Sequence, residues 1–164
     1  MQQVLSSREI RQKTERLAHQ IIENCFEESQ IFIGGIQGNG VLLANQLGEI
    51  IRSNSSIAAE VFTIDINKNE PWAEKVVLSI PNESLKNAYI FLVDDVLNSG
   101  KTMQYSLVEF LKFPTKAIKT VALVDRKHRR FPIKADFVGI SLSTTLKERV
   151  EIDLSTNNEK AYLV

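Results

Sequence analysis

Short apolar runs alternate with amphipathic segments along most of this chain, and this alternation restricts the fold more than any other feature of the sequence. Apolar runs with the length of strands occupy residues 30–35, 57–66, 75–80, 88–93, 118–124, 137–142 and 149–154. Apolar residues at helical spacing occupy residues 7–27, 41–52 and 102–112. Ser6 and Glu9 fit a capping box at the start of the first of these predicted helices. Strands that alternate with helices predict an α/β fold whose parallel sheet is covered on both faces. No linker or internal repeat interrupts the 164 residues, so we expect a single domain over residues 1–164.

The charge balance and the first residues limit the expected partners and compartment. Lys+Arg and Asp+Glu both number 20, so no overall field attracts the protein to nucleic acid or a membrane, and such binding requires a local patch. The stretch MQQVLSSREIRQK contains no apolar signal-peptide core, and no window approaches the ~20 apolar residues of a membrane span. We therefore expect a cytoplasmic protein with no membrane partner. The single cysteine, Cys25, lies on the apolar side of the first predicted helix, where we expect it to pack in the core.

The stretch IFLVDDVLNSGKTM places two adjacent carboxylates, Asp94 and Asp95, at the end of the most apolar run. Like charges at the end of a buried strand repel each other and lose solvation, which indicates that a ligand uses them. A P-loop is excluded, because the glycine that must precede Gly100 by five residues is replaced by Asp95. The stretch GGIQGNGVLLA is not a dinucleotide fingerprint either, because from Gly38 the third glycine would fall on Leu43.

The residues after the acidic pair suit a phosphate, and the pair itself suits a diol. Asn98 to Thr102 supply backbone N–H groups, hydroxyls and a glycine at the start of a predicted helix, which make a phosphate cradle with the helix dipole behind it. Asp94 and Asp95 would accept hydrogen bonds from neutral hydroxyl groups. A sugar with a diol at one end and a phosphate at the other, such as ribose 5-phosphate, meets both requirements.

The same stretch resembles the phosphoribosyl pyrophosphate signature of type I phosphoribosyltransferases: an apolar strand, two acids, two apolar residues and a Thr/Ser-Gly phosphate loop. The resemblance implies the parallel-sheet fold of that family, a doubly wound core plus a small hood, and Mg²⁺ that arrives with pyrophosphate rather than at a metal site of the protein. It implies that Asp94 and Asp95 are catalytic and hold the ribose 2′- and 3′-hydroxyls. The implied 5′-phosphate loop consists of Asn98, Ser99, Gly100, Lys101 and Thr102. The implied pyrophosphate loop consists of Gly35, Ile36, Gln37 and Gly38.

The segment VALVDRKHRRFPIKADFVG resembles, within that family, the bifunctional pyrimidine-operon attenuators that are also uracil phosphoribosyltransferases. The resemblance covers most of the chain and implies uracil as the base, a hood made by about residues 125–153, and an RNA partner. The chain departs from the pattern in the early loop, where Gln37 and Asn39 occupy the places of a Lys and an Arg. Loss of two cations predicts weaker binding of pyrophosphate. The lid of these enzymes corresponds here to the segment between TIDI and IFLVDD, residues 67–89, and it is shorter than in the family pattern. The arginine that the lid usually carries would have to be replaced by Lys68 or Lys75.

A basic cluster follows the predicted strand at residues 118–124. Arg126, Lys127, Arg129 and Arg130 stand close together in the stretch DRKHRRF. Three interpretations stay open: a solvated loop, a role in the base hood or in binding phosphate groups, and a patch for the RNA backbone.

These features predict transfer of a phosphoribosyl group from phosphoribosyl pyrophosphate to a nucleobase, with uracil giving UMP and pyrophosphate. Positioning and electrostatic stabilisation would suffice without a covalent nucleophile. One alternative is a nucleotide-sensing, RNA-binding regulator of pyrimidine genes with little catalysis, which the missing loop cations and short lid favour. Another is a purine, hypoxanthine-type phosphoribosyltransferase, which is disfavoured because Asn98 stands where those relatives carry an aspartate. We also expect a homo-oligomer.

Overall fold

The computed structural model describes all 164 residues and contains nine strands and three α-helices. The strands are β1 (Gln2–Leu5), β2 (Gln30–Ile36), β3 (Ala58–Asp65), β4 (Val77–Leu78), β5 (Tyr89–Leu97), β6 (Ala117–Asp125), β7 (Phe137–Ser141), β8 (Val150–Asp153) and β9 (Lys160–Leu163). The helices are α1 (Ser7–Asn24), α2 (Asn39–Asn54) and α3 (Lys101–Phe110), with a 3₁₀ turn at Asn82–Leu85. Six strands form one sheet in the order β4-β3-β2-β5-β6-β7, in which β4 alone runs antiparallel to its neighbour. The predicted α/β class with a parallel sheet is confirmed.

Strand β5 lies in the middle of this sheet and is buried on both faces. Phe91 and Val93 belong to the larger apolar core, which also contains residues of α1 and α2. Ile90 and Leu92 point to the opposite face and belong to a second core, which contains residues of α3. Each fully buried side chain of this size stabilises the fold by about 1.5–3 kcal/mol. A strand covered on both faces therefore reads as a continuous apolar run, which is why its position is evident in the sequence.

Helix α1 begins with the capping box that the sequence predicts. Ser6 Oγ accepts a hydrogen bond from the N–H of Glu9 at 3.3 Å, and the Glu9 carboxylate accepts one from the N–H of Ser6 at 2.8 Å. Such a cap contributes about 0.5–2 kcal/mol to helix stability. Cys25 ends the helix and is buried, as expected. No helix of the structure has both the length and the hydrophobicity that a membrane crossing requires.

A separate three-stranded antiparallel sheet, in the order β1-β9-β8, joins the two ends of the chain. Gln2 pairs with Leu163, and Leu163 pairs with Val150 on its other side. Strands β1 and β9 were not predicted, because each has only four residues and neither forms a continuous apolar run. The residues expected to form the hood divide between two sheets, since β7 extends the large sheet and β8 belongs to the small one. The hood itself stays a prediction.

Candidate functional site

A cavity of about 340 Å³ lies at the carboxyl end of β5 and the start of α3. Its lining consists of Lys68, residues 94–103 and Val150. Ligands of open parallel sheets bind at this edge, beyond the carboxyl ends of the strands. The structure thus brings the predicted diol pair and the predicted phosphate loop together around one cavity.

The two carboxyl groups of the pair have different environments. Asp94 is 5% exposed, whereas Asp95 is half-buried. Burial raises the pKa of Asp94 to about 8, the negative charge of Asp95 adds to the rise, and the positive charge of Lys68 opposes it. Near neutral pH the Asp94 carboxyl is therefore largely protonated without ligand, which removes much of the repulsion within the pair.

Asn39 holds the second carboxylate in place. Its side-chain amide donates to Asp95 Oδ2 at 3.0 Å and to the carbonyl of Ile152, in β8, at 2.7 Å. The other carboxylate oxygen, Oδ1, accepts from the N–H of Val96 at 2.8 Å. Both oxygens of Asp95 are thus oriented by the protein. In the sequence, Asn39 is notable only because it stands where the family pattern has a cation. Its two hydrogen-bond partners are distant in the chain, so the sequence does not reveal this role.

The phosphate loop is fixed from behind by the segment at residues 126–131. The carbonyl of Leu97 accepts a hydrogen bond from the N–H of Arg126 at 3.0 Å, and the carbonyl of Asn98 accepts one from the guanidinium of Arg129 at 2.7 Å. The carbonyl of Ser99 accepts two, from the N–H groups of Arg130 at 2.9 Å and Phe131 at 3.1 Å. Because C=O and N–H point in opposite directions across a planar trans peptide, carbonyls held at the back direct the following N–H groups towards the cavity. This arrangement suits an anion.

Gly100 connects the loop to α3. Its φ of +86° is left-handed, and a Cβ at this position would overlap Cγ2 of Ile133. Helix α3 then starts at Lys101 without a side-chain cap. The N–H of Lys101 donates to Ser99 Oγ at 3.3 Å. The next two N–H groups of the helix, those of Thr102 and Met103, have no partner within the protein and are available to a phosphate, in line with the predicted role of this loop.

The basic cluster divides into two arginines that bind the protein and two side chains that face solvent. Arg126 is only 8% exposed, and its guanidinium donates hydrogen bonds to the side chains of Asn98 and Thr144 and to the carbonyls of Thr145 and Glu148. Arg129 donates to the carbonyls of Asn98 and Ile133 and forms an ion pair with Asp125 at 2.7 Å. Lys127 and Arg130 are exposed. Of the four cations, Lys127 and Arg130 are therefore the two that can contact an external partner. The sequence DRKHRRF alone does not distinguish them from the two bound arginines.

The segment after β3 packs against the phosphate loop. Lys101 Nζ donates to the carbonyl of Asn69 at 3.1 Å and lies 5.8 Å from the centroid of the Trp72 ring. The same segment places Lys68 in the cavity lining, whereas Lys75 is not part of it. Lys68 is therefore the better candidate of the two for a cation supplied by the lid.

The four residues of the predicted pyrophosphate loop are not part of the cavity lining. Gly35 and Ile36 form the end of β2, where a Cβ on Gly35 would lie 2.6 Å from the carbonyl oxygen of Gly40. The N–H of Gln37 already donates to the carbonyl of Ile64 at 2.9 Å. Gln37 and Gly38 are exposed beside the uncapped start of α2. Their role in binding pyrophosphate stays a prediction.

Comparison with known proteins agrees with this geometry. A family model described as "Phosphoribosyl transferase domain" matches residues 1–152. Bifunctional protein PyrR of Staphylococcus saprophyticus is 30% identical over 168 residues, which cover 98% of this chain and 96% of that protein. Bifunctional protein PyrR of Nostoc punctiforme is 35% identical over 158 residues, which cover 93% of this chain and 89% of that protein.

Solved structures add evidence on the fold. The hypoxanthine phosphoribosyltransferase of Trypanosoma cruzi superposes with a TM-score of 0.80 over 98% of this chain and 95% of that chain, at 15% identity. A hypoxanthine-guanine phosphoribosyltransferase of Bacillus anthracis gives a TM-score of 0.71 over 87% of this chain and 82% of that chain, at 19% identity. The family and fold recognised from the sequence are confirmed, and the chain belongs to the phosphoribosyltransferase family.

Proposed function

We propose that this phosphoribosyltransferase transfers the phosphoribosyl group of phosphoribosyl pyrophosphate to uracil, giving UMP and pyrophosphate. The observation that carries the proposal is that one cavity is lined by both the acidic pair and the phosphate loop, whose carbonyls are held by hydrogen bonds from residues 126–131. The likeness to bifunctional PyrR proteins and the resemblance of the segment at residues 121–139 support uracil over a purine.

In this proposal the protein holds the sugar at both ends. Asp94 and Asp95 accept hydrogen bonds from the ribose hydroxyls, and the N–H groups of the loop and of α3 bind the 5′-phosphate. Asn39 keeps Asp95 oriented, so little reorganisation is needed when the anomeric carbon becomes positively charged. Lys68 supplies positive charge at the cavity as the anionic leaving group departs.

The acidic pair also fits a magnesium ion that arrives with pyrophosphate. The protein has no group of three or more His, Cys, Asp or Glu side chains arranged to hold a metal by themselves. Carboxylate oxygens are ligands that Mg²⁺ prefers, and Mg²⁺ commonly binds through one or two carboxylates plus substrate phosphates. When bound, the ion would neutralise part of the charge of the leaving pyrophosphate.

A turnover assay with a panel of bases tests the proposal. Purified protein with phosphoribosyl pyrophosphate and Mg²⁺ should convert uracil to UMP and leave hypoxanthine and guanine unchanged. Changing Asp94 and Asp95 together to Asn should abolish turnover and weaken ribose 5-phosphate binding by about 1.5–3 kcal/mol, the contribution of one hydrogen bond to a charged group, because Asp94 is largely protonated near neutral pH and Asp95 carries the charge of the pair. Turnover of hypoxanthine but not uracil would overturn the choice of base. Unchanged affinity in the double variant would overturn the site.

A second candidate function, RNA binding, is favoured by the exposure of Lys127 and Arg130 on the outer side of the basic segment. Contacts to RNA phosphates release counterions, so affinity for a pyrimidine-operon leader RNA should fall steeply with salt. Changing Lys127 and Arg130 to Ala should flatten that dependence and spare uracil turnover. The matched control changes Arg8 and Arg16, two exposed arginines of α1, to Ala. Absence of salt-sensitive binding at submicromolar protein would remove this second function.

A further inference from the structure

The amide of Asn98 has an orientation that the protein determines. Its Oδ1 accepts a hydrogen bond from Arg126 Nη1 at 2.9 Å. A guanidinium has only donors, so the oxygen of Asn98, not its nitrogen, must face Arg126. The Nδ2 group has no hydrogen-bond partner within the protein, and Asn98 is an exposed residue of the cavity lining. The Asn98 side chain therefore presents the two N–H donors of Nδ2 to the cavity, while its oxygen is bound to Arg126.

Arg126 is itself held too firmly to let the amide turn. It is 8% exposed, and besides Asn98 it donates to Thr144 Oγ1 at 3.0 Å and to the carbonyl of Thr145 at 3.2 Å. Its second terminal nitrogen lies 3.3 Å from His128 Nδ1 and donates to the carbonyl of Glu148. A turn of the Asn98 amide would set N–H against N–H and leave a buried charged donor unpaired, which costs more than the loss of an exposed contact.

A bound nucleotide would bring its base to this amide. With the ribose hydroxyls on Asp94 and Asp95 and the 5′-phosphate on the loop, the base has to occupy the rest of the same cavity, whose lining includes Asn98 and Val150. In the anti conformation of a pyrimidine nucleotide, the base edge on the phosphate side runs from C6 through C5 to the substituent on C4. That substituent is an oxygen in uracil and an amino group in cytosine.

We propose that Asn98, held by Arg126, is a specificity-determining residue that donates a hydrogen bond to the C4 oxygen of the pyrimidine and so selects uracil over cytosine. This inference rests on the proposed function, because it requires a nucleotide in the cavity. An amino group at C4 would place a donor against a donor, and a site with an unpaired polar group rejects the wrong partner more strongly than an apolar site does.

Calorimetry with UMP and CMP, beside ribose 5-phosphate, tests the inference on the intact protein. The native protein should bind UMP about tenfold more tightly than CMP, the ratio expected for one hydrogen bond gained or lost. Asn98→Ala should bring the ratio close to one. Asn98→Asp, which replaces the donors with acceptors, should favour CMP, whatever its overall affinity. The matched control is Asn45→Asp on the exposed side of α2, which should keep the native ratio.

The results separate the two levels of the proposal. If UMP and ribose 5-phosphate bind but the UMP-to-CMP ratio is the same in the native protein, Asn98→Ala and Asn98→Asp, the role of Asn98 is overturned and the proposed function stands. If none of the three ligands binds to the native protein, the proposed function itself fails, and this inference with it.

Discussion

The buried carboxyl of Asp94 should make the folded protein lose stability as the pH rises, and Asp94→Asn should remove that loss. Burial raises the pKa of Asp94 to about 8, from an ordinary value of 3.8 in the unfolded chain. Between these two values the folded state holds a proton that the unfolded state has released. The free energy of unfolding therefore decreases with pH in this interval.

The size of the effect follows from the pKa difference. One pH unit inside the interval costs about 1.36 kcal/mol, so the step from pH 5 to pH 7 costs about 2.7 kcal/mol. The contribution of the protonated carboxyl is fully present below pH 3.8 and is lost as the pH passes 8. Solvent screens the charge of Asp94 only weakly, because the residue is 5% exposed. Asparagine keeps the oxygen that accepts from the N–H of Asp95 at 2.9 Å but carries no titrating group.

Urea unfolding of the ligand-free protein, followed by circular dichroism from pH 5 to pH 9, measures this. The stability of Asp94→Asn relative to the native protein should increase by about 2.7 kcal/mol between pH 5 and pH 7 and level off between pH 8 and pH 9. Asp65→Asn, at an exposed aspartate that ends β3, is the matched control for loss of one carboxylate. If the curves of Asp94→Asn and the native protein stay parallel from pH 5 to pH 8, Asp94 ionises as readily in the fold as in the unfolded chain, and the reasoning is refuted.

Three further perturbations follow from the backbone and the lid. Gly100→Ala should destabilise the fold by about 1–3 kcal/mol and remove ribose 5-phosphate binding in calorimetry, because of its left-handed φ and the overlap with Ile133; native affinity would contradict this. Lys127→Gly should raise the free energy of unfolding by about 1 kcal/mol in urea, since Lys127 has a φ of +60°, and an unchanged midpoint would show that the strain is relieved elsewhere. Saturating ribose 5-phosphate should change the fluorescence of Trp72, the single tryptophan, because Lys101 of the phosphate loop lies 5.8 Å from its ring, and Lys101→Met should abolish the change. An equal response in both proteins would show that Lys101 does not couple the lid to the phosphate loop.

The parts of the fold and site that the sequence predicts are those specified by neighbouring residues. The buried strand β5, the acidic pair and the phosphate loop form one uninterrupted stretch, so local pattern suffices to find them. The capping box of α1 is likewise set by two residues three positions apart.

The parts that the sequence does not reveal depend on contacts between distant segments. Nothing in the pattern DRKHRRF distinguishes Arg126, which braces the phosphate loop, from Arg130, which faces solvent. The bridge from Asn39 to Asp95 and Ile152 joins three separate segments, so it becomes visible only in three dimensions. Strands β1 and β9 are short and gain their stability from pairing with each other.

The pairing of β1 with β9 also has a consequence for the order of folding. These strands come from opposite ends of the chain, and closing a loop of that length costs more entropy than any other pairing in the protein. Contacts of such high sequence separation are expected to form late, after the large sheet has assembled its neighbouring βα units. Val150 and Ile152 reach the cavity and Asn39 through β8, which pairs only with β9. The part of the cavity wall that Val150 forms is therefore completed last, and a refolding chain should regain most of its secondary structure before it can bind a nucleotide.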